Sequence, residues 1–151
     1  MKKARVEGYR SRASYKLLEI NDRLNLFRPG QIIVDLGAAP GGWSQVAERC
    51  ARPAGRIIAL DLLEMEAIPG VEVIRGDFTT DDVYASLQET LRGCTVDLVI
   101  SDMAPNLSGM KHIDLPRSVF LVELALDFAD KVLAKGGIVV TKVFEGEGID
   151  D

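Results

Sequence analysis

The stretch from Val34 to Ala47 constrains the fold of this chain more than any other. It reads V-D-L-G-A-A-P-G-G-W-S-Q-V-A, the pattern of a buried strand, a glycine-rich turn and a following helix. Gly41 and Gly42 carry no side chain, so a ligand can lie directly against the backbone of this turn. We therefore predict a cofactor site at the turn, formed by Gly37, Gly41 and Gly42.

Strands and helices alternate along the rest of the chain. Hydrophobic spacing predicts helices over residues 10–27, 42–50, 79–91 and 116–134, and strands over residues 32–36, 56–61, 71–77, 97–102 and 138–144. This order predicts an α/β fold with a mostly parallel sheet and helices on both faces. Ligands of such sheets bind outside the carboxyl ends of the strands, where several acids and one lysine of this chain fall.

Length and composition limit the classes of protein that the chain can represent. Its 151 residues suit about one domain, and no apolar run approaches the roughly 18 residues of a membrane span. No secretory signal is visible at the N-terminus, so we expect a cytoplasmic protein. Cys50 and Cys94 lack metal-ligand spacing, and nothing around the single histidine, His112, indicates a catalytic triad, so we predict no metal site.

The formal net charge of −5 hides an asymmetry between the two ends of the chain. Residues 1–28 contain eight of the 18 Lys and Arg residues but only three of the 23 acids. A local basic patch can bind phosphates while the whole domain stays acidic. The charges alone leave two interpretations open, a solvated basic tail and an RNA-binding surface.

The turn differs from the G-x-G-x-x-G pattern of dinucleotide-binding proteins because Ala39 occupies the place of the second glycine. A pyrophosphate would lose its closest backbone approach there, which favours a ligand with an adenosine and no phosphates, such as S-adenosylmethionine. Asp61, at the end of the second predicted strand, can accept hydrogen bonds from ribose hydroxyls. Asp77 can accept one from the adenine amino group. The alternatives are that the glycine-rich turn is a tight turn without a ligand, and that Asp61 and Asp77 only cap their loops.

Asp102 ends the fourth predicted strand, and Lys142 lies near the end of the fifth. A lysine on an otherwise apolar strand is costly unless it is paired or functional, because burial disfavours the charged form and makes a neutral amine available. Transfer of a methyl group to a hydroxyl needs such a general base. The alternative is a strand-end lysine that reaches solvent and pairs with Asp102.

Several motifs, taken together and in order, resemble those of one family. They are R-S-R-A-S-Y-K-L-L-E-I, V-D-L-G-A-A-P-G-G-W-S-Q, D-L-L-E-M, G-D-F, S-D-M-A-P-N-L-S-G, D-L-P-R and K-V-F-E-G-E-G. Over about residues 9–149 the chain resembles the FtsJ (RrmJ) family of S-adenosylmethionine-dependent RNA 2′-O-ribose methyltransferases, and in particular its bacterial members that modify a uridine of 23S ribosomal RNA. The resemblance implies a Rossmann-like methyltransferase fold.

The resemblance also implies roles for individual residues. Its Lys-Asp-Lys-Glu tetrad places three catalytic residues on Lys16, Asp102 and Lys142, with Lys142 acting on the ribose hydroxyl. Cofactor contacts fall on Gly41, Trp43, Asp61, Asp77 and Asp102. Phosphate contacts fall on the basic N-terminal residues, among them Arg10, Arg12 and Lys16. The partner would be ribosomal RNA or the large ribosomal subunit, with no membrane, and we expect a monomer.

The chain departs from the family pattern after K-V-F-E-G-E-G, where the family continues through a helix and an antiparallel strand pair that carry the tetrad glutamate. We therefore expect a basic segment and helix at 1–28, within the same domain as a C-terminally incomplete methyltransferase unit at 29–151 that lacks the strand pair. Two other functions stay open: a module that binds cofactor and RNA without turnover, and a nicotinamide-dependent oxidoreductase. The missing loop glycine argues against the oxidoreductase.

Overall fold

Helices and strands alternate along the chain in a computed structural model that describes residues 8–10, 12–38, 41–102 and 111–142, with side chains from residue 119 in the last range. In chain order the elements are α1 (Ala13–Leu24), β1 (Ile32–Leu36), α2 (Gly42–Cys50), β2 (Arg56–Asp61), β3 (Val71–Arg75), α3 (Asp81–Leu91), β4 (Val96–Ser101), α4 (Lys111–Val132) and β5 (Leu133–Thr141).

The strands form one sheet in the order β3-β2-β1-β4-β5. Every strand pairing in the described ranges is parallel. The chain moves from β1 to β2 and β3 on one side, then returns to place β4 and β5 on the other side. The strand order therefore reverses at β1, which is the position where α/β sheets bind ligands.

Two apolar cores cover the two faces of the sheet. Ile33 of β1 packs with Leu17 of α1 and Val46 of α2 on one face. Val34 of β1 points the other way and packs with Leu87 of α3 and other residues of α3 and α4. Successive side chains of a strand alternate between faces, so β1 contributes to both cores. The prediction of a parallel sheet with helices on both faces is confirmed.

Helix α1 is shorter than predicted at both ends. It ends because Asn25 adopts a left-handed backbone conformation, with φ of 53°, and its N–H donates to the carbonyl of Asn21. The Asn21 side chain in turn accepts a hydrogen bond from the N–H of Phe27 at 3.0 Å. Phe27 thus stays buried although it lies outside the helix.

Helix α4 begins at Lys111 and not at the predicted residue 116. A proline is best tolerated in the first turn, and this helix instead carries Pro116 in its second turn at the cost of a backbone hydrogen bond. In the described part of the chain, no helix combines the length and apolarity needed to cross a membrane.

Strand β5 begins directly after α4 at Leu133, five residues before the predicted start. The helix was predicted to extend to residue 134, but the strand covers Leu133–Thr141 and includes Gly136 and Gly137. Gly136 has a φ of 85°, a backbone conformation that other residues rarely adopt. The pairing register between β4 and β5 shifts nearby, and the glycine accommodates this irregularity. The strand ends at Thr141, before the predicted residue 144, so Lys142 follows the strand and does not lie within it.

Candidate functional site

Acidic residues and one lysine gather at a single edge of the sheet. Asp61 is the last residue of β2, Asp77 lies two residues after β3, Asp102 follows β4 directly, and Lys142 follows β5. Because the strands are parallel, these residues share the carboxyl edge, as predicted. We call this edge the rim. It contains the reversal of strand order at β1, so it is the expected position of a ligand.

The glycine-rich turn after β1 is tied to the end of β2. The N–H groups of Gly37 and of the next residue both donate to the carbonyl of Leu60, at 2.8 and 3.2 Å. Gly41 has a φ of +116°, and a Cβ atom there would lie 2.7 Å from Cδ1 of Ile68. Glycine is therefore required at position 41. The prediction about Ala39 lies outside the described residues.

A cavity of about 350 Å³ opens at the rim between the ends of β2 and β3 and helix α4. Its size falls in the range of small-molecule sites. The wall combines predicted cofactor residues with apolar side chains of α4: Gly37, Asp61, Leu62, Gly76, Asp77, Phe78, Thr79, Phe120, Leu121 and Leu124. Three residues predicted from the sequence, Gly37, Asp61 and Asp77, are thus brought together around one space.

Hydrogen bonds within their own loops fix both carboxylates of this cavity. Oδ1 of Asp77 accepts from the hydroxyl of Thr79 at 2.6 Å and from its N–H at 2.9 Å. These two hydrogen bonds, the hydroxyl first, hold the pKa of Asp77 below its usual value. Oδ1 of Asp61 accepts from the N–H of Leu63 at 2.9 Å. Both acids therefore cap loops and line the cavity.

Trp43 is a cofactor contact that the family resemblance implies, and this contact stays a prediction. Its side chain is only 5% exposed and packs in the core beneath the turn, and its indole N–H donates to the carbonyl of Ala13 at 2.9 Å. The side chain therefore joins α2 to α1 and does not line the described cavity. Gly42, also predicted as a cofactor contact, is the buried first residue of α2.

Asp102 and Lys142 form an ion pair at the rim, with 3.4 Å between Oδ1 and Nζ. The backbone N–H of Lys142 donates to the carbonyl of Ser101 at 2.8 Å, which fixes the lysine beside the end of β4. Burial raises the pKa of Asp102, and the nearby ammonium group opposes that rise.

The side chain of Lys142 is 47% exposed. The predicted burial of this lysine is therefore wrong, because the residue lies past the end of β5 and reaches solvent. The alternative that the sequence left open, a strand-end lysine paired with Asp102, describes the observed geometry.

Lys16 and Arg12, predicted to contact RNA, lie at the N-terminal end of α1. The Lys16 side chain is 71% exposed and pairs with Glu19 at 3.4 Å, while Arg12 is an exposed residue at the start of the helix. Within the described ranges, no hydrogen bond or ion pair joins Lys16 to Asp102 or Lys142. The catalytic role of Lys16 stays a prediction.

Arg10, the third predicted phosphate contact, forms intramolecular hydrogen bonds with its guanidinium group. Nη1 donates to the carbonyl of Glu66 at 2.7 Å, and Nη2 donates to the carbonyl of Ala67 at 2.9 Å. These carbonyls belong to the loop between β2 and β3. The phosphate contact at Arg10 stays a prediction, and in the structure the guanidinium group joins the loop to the N-terminal segment.

Asp35 is a residue of the rim to which sequence analysis gave no role. Its side chain is fully buried, and Oδ2 accepts a hydrogen bond from the Ser44 hydroxyl at 2.7 Å. Oδ1 has no hydrogen-bond partner among the described residues. Burial raises the pKa of Asp35 to about 8, opposed by the Ser44 hydrogen bond and reinforced by the charges of Asp102 and Asp61. An acid inside a continuously apolar strand was the signal for this residue.

The apolar wall that α4 contributes was also missed. Phe120, Leu121 and Leu124 were not predicted as site residues. Phe120 is 59% exposed and lines the cavity. The available signal in the sequence was an aromatic residue next to the leucines of an apolar helix stripe.

Comparison with known proteins places the chain beside ribosomal RNA methyltransferases. It is 57% identical over 150 residues to the ribosomal RNA large subunit methyltransferase E of Pseudomonas fluorescens strain Pf0-1, a match that spans 99% of this chain and 72% of that protein. It is 54% identical over 151 residues to the enzyme of the same name from Legionella pneumophila strain Paris, covering 100% of this chain and 73% of that protein.

A solved structure from Plasmodium falciparum, described as a ribosomal RNA methyltransferase, superimposes with a TM-score of 0.85 at 33% sequence identity. The superposition covers 92% of this chain and 80% of the other. The model of the FtsJ-like methyltransferase family matches residues 9–151, which is nearly the whole chain. The chain therefore belongs to the FtsJ-like methyltransferase family.

Proposed function

We propose that the chain transfers a methyl group from S-adenosylmethionine to the ribose 2′-hydroxyl of a uridine in 23S ribosomal RNA. The observation that carries the proposal is the Asp102–Lys142 ion pair, which lies across β1 from the cavity that Asp61 and Asp77 line. Relatives named for methylation of large-subunit ribosomal RNA support the substrate. The reaction would take place in the cytoplasm.

The residues around the cavity fit S-adenosylmethionine. Asp61 and Asp77 offer carboxylate oxygens to the ribose hydroxyls and the adenine amino group. Leu62 and Phe120 offer apolar surface to a flat ring. No arginine or lysine is among the described residues that line the cavity, and this composition favours an adenosine without phosphates over a dinucleotide. Gly37 lets the ligand approach the backbone of the turn.

S-adenosylmethionine supplies a methyl group already activated on a sulfonium, so the chain has to activate only the hydroxyl. Nζ of Lys142 is the group that takes the proton of the 2′-hydroxyl. An RNA ribose docked on this half-exposed side chain would displace water from it and bring the 2′-hydroxyl within reach of Nζ. Asp102 holds the amine in position and neutralises the positive charge that it gains on protonation.

The exposed basic residues near the start of α1 provide the surface for RNA. Arg12 and Lys16 are both exposed, and they belong to the segment that contains eight of the 18 basic residues. Lys16 would orient the ribose toward Lys142, as the family tetrad implies. Phosphate contacts of this kind position the RNA without reading its sequence.

A methyl-transfer assay with labelled cofactor tests the proposal. The chain is incubated with tritiated S-adenosylmethionine and either free 23S RNA or large subunits from cells that lack the modification. The RNA is then hydrolysed in alkali. A 2′-O-methyl group blocks cleavage at its own nucleotide, so we expect the label in an alkali-stable dinucleotide that begins with a methylated uridine.

The two substrate arms decide whether the chain acts on RNA alone or on the assembled subunit. Label in mononucleotides would mean base methylation and would contradict the proposal. Cofactor binding without transfer to either substrate would identify the chain as a binding module.

A further inference from the structure

Residues 8–10 form a short segment, here called the N-terminal strap, whose backbone is hydrogen-bonded to the Gln45 side chain of α2. Oε1 of Gln45 accepts from the N–H of Arg10 at 2.7 Å, and Nε2 of Gln45 donates to the carbonyl of Gly8 at 2.9 Å. The same amide group thus satisfies a donor and an acceptor of the strap. This pairing fixes the strap along the first turns of α2.

Aromatic contacts hold the middle of the strap. The ring of Tyr9 meets the ring of Tyr15 of α1 edge to face, with 5.7 Å between centroids. The guanidinium carbon of Arg49 of α2 lies 4.5 Å from the centroid of Tyr9. Contacts of both kinds are favourable beyond the area that they bury. The strap is therefore anchored to two helices.

From this anchored strap, Arg10 reaches the loop between β2 and β3. Its two hydrogen bonds to the carbonyls of Glu66 and Ala67 span more than 50 positions of sequence, at 2.7 and 2.9 Å. Each has a charged donor, which makes it stronger than a bond between neutral groups. The loop begins at Leu62, directly after Asp61, and both residues line the cavity.

The guanidinium group also lies against the glycine-rich turn. A Cβ atom on Gly41 would be 3.3 Å from Nη1 of Arg10, 3.0 Å from Cε of Met65 and 2.7 Å from Cδ1 of Ile68. Arg10, the turn and the β2–β3 loop therefore meet at Gly41. One side chain connects the two segments that border the cavity.

We propose that Arg10 is a positioning residue for cofactor binding, and that it holds the β2–β3 loop, with Asp61 and Leu62, against the glycine-rich turn. The identity of the ligand in this inference rests on the proposed function. Precise cofactor contacts require that the residues behind them are fixed, and two hydrogen bonds to backbone carbonyls do this for the loop. A phosphate contact at Arg10 would instead leave the cofactor side unaffected.

Arg10→Lys separates the two roles, because lysine keeps the positive charge but cannot donate to two carbonyls in the fork geometry of arginine. Gln45→Met releases the strap by another route and leaves the Arg10 side chain intact. Arg92→Lys is the matched control, since Arg92 is exposed at the opposite end of the sheet, after α3.

Amide hydrogen exchange of residues 62–70 is measured first, without any ligand. We expect exchange about tenfold faster in Arg10→Lys and Gln45→Met than in the wild-type chain, and no change in Arg92→Lys. Calorimetry should then show S-adenosylmethionine binding about tenfold weaker in the first two variants. KM for the cofactor should rise while kcat at saturating cofactor and RNA affinity change little.

Unchanged exchange in residues 62–70 together with unchanged cofactor affinity in Arg10→Lys would overturn the inference. A loss of RNA affinity alone would assign Arg10 to phosphate binding. If the wild-type chain binds no S-adenosylmethionine, the proposed function fails, while the exchange measurement still decides whether Arg10 holds the loop.

Discussion

The two halves of the rim are built differently. On the side of β2 and β3, Asp61 and Asp77 accept hydrogen bonds from their own loops and line a cavity with apolar walls. On the side of β4 and β5, Asp102 and Lys142 depend on each other, and Lys142 is half exposed. The first half is arranged before any ligand arrives, whereas the second presents a charged pair to solvent.

The difference corresponds to the size of the two substrates. The proposed cofactor is small, and the chain by itself provides a cavity of suitable size for it. A ribose within a large RNA brings its own surface, so the RNA can exclude water from Lys142 when it binds. In the proposed mechanism the amine of Lys142 is thus desolvated only in the complex, which restricts proton transfer to bound substrate.

Lys142→Ala tests this division with the largest expected effect. Because Lys142 is the proposed general base, its loss should lower kcat for RNA methylation about 10³-fold, within the range for general bases. Binding of S-adenosylmethionine should change little, because the cofactor site that we propose lies in the other half of the rim. Single-turnover transfer and calorimetry on the same preparation measure both quantities.

Lys135→Ala is the matched control, because Lys135 is an exposed lysine near the opposite end of β5. It should keep both transfer and cofactor binding. Unchanged transfer in Lys142→Ala would remove the base from the mechanism, and equal loss of cofactor binding would show that the two halves do not act separately.

Asp35 lies between the two halves and gives the next largest effect, on stability. Its folded pKa of about 8 lies above the ordinary value of 3.8, so the folded state retains a proton that the unfolded state loses. The stabilisation is complete below about pH 4 and is lost as the pH rises through 8. Between pH 5 and 8 the free energy of unfolding should fall by on the order of 3 kcal/mol from this residue.

Asp35→Asn should remove that dependence, because an amide resembles the protonated carboxyl and still accepts a hydrogen bond from Ser44. Urea unfolding from pH 5 to 9 should show that the free energy of unfolding of the variant increases relative to that of the wild-type chain as the pH rises. Ser44→Ala is the comparison, since it removes the hydrogen bond but keeps the acid and hence the slope. If the free energies of unfolding of Asp35→Asn and the wild-type chain depend on pH in the same way, Asp35 is ionised over the whole range from pH 5 to 9.

The sequence was sufficient to predict the parallel sheet and the position of Asp61 and Asp77 at one edge of it. We call their side of the rim the cofactor half, because we propose that it binds S-adenosylmethionine. Strand ends determine where Asp61 and Asp77 lie, because parallel strands deliver their last residues to one edge. The exposure of Lys142 was not predictable in the same way. It depends on a strand boundary, and a shift of a few residues moves a side chain from the sheet to solvent.

The intramolecular hydrogen bonds of Arg10 could not be predicted from sequence patterns. Its partners are backbone carbonyls more than 50 positions away, and any residue type supplies a carbonyl. The family resemblance implied a phosphate contact for Arg10, and that contact stays a prediction. The burial of the Trp43 side chain was not predictable for a related reason, since a motif match gives a position in the chain and not the direction of a side chain.

Asp61→Asn gives the smallest effect and tests the cofactor half alone. Asparagine keeps an oxygen that accepts from the Leu63 N–H, so the loop is retained, but it replaces the second acceptor with a donor. Affinity for S-adenosylmethionine should fall about tenfold, while kcat at saturating cofactor stays within about twofold. Glu64→Gln removes one negative charge from the same loop at an exposed position and should leave the affinity unchanged. Equal losses of cofactor affinity in both variants would mean that Asp61 contributes only its negative charge. A large loss of kcat in Asp61→Asn would mean that the cofactor half also takes part in the chemical step.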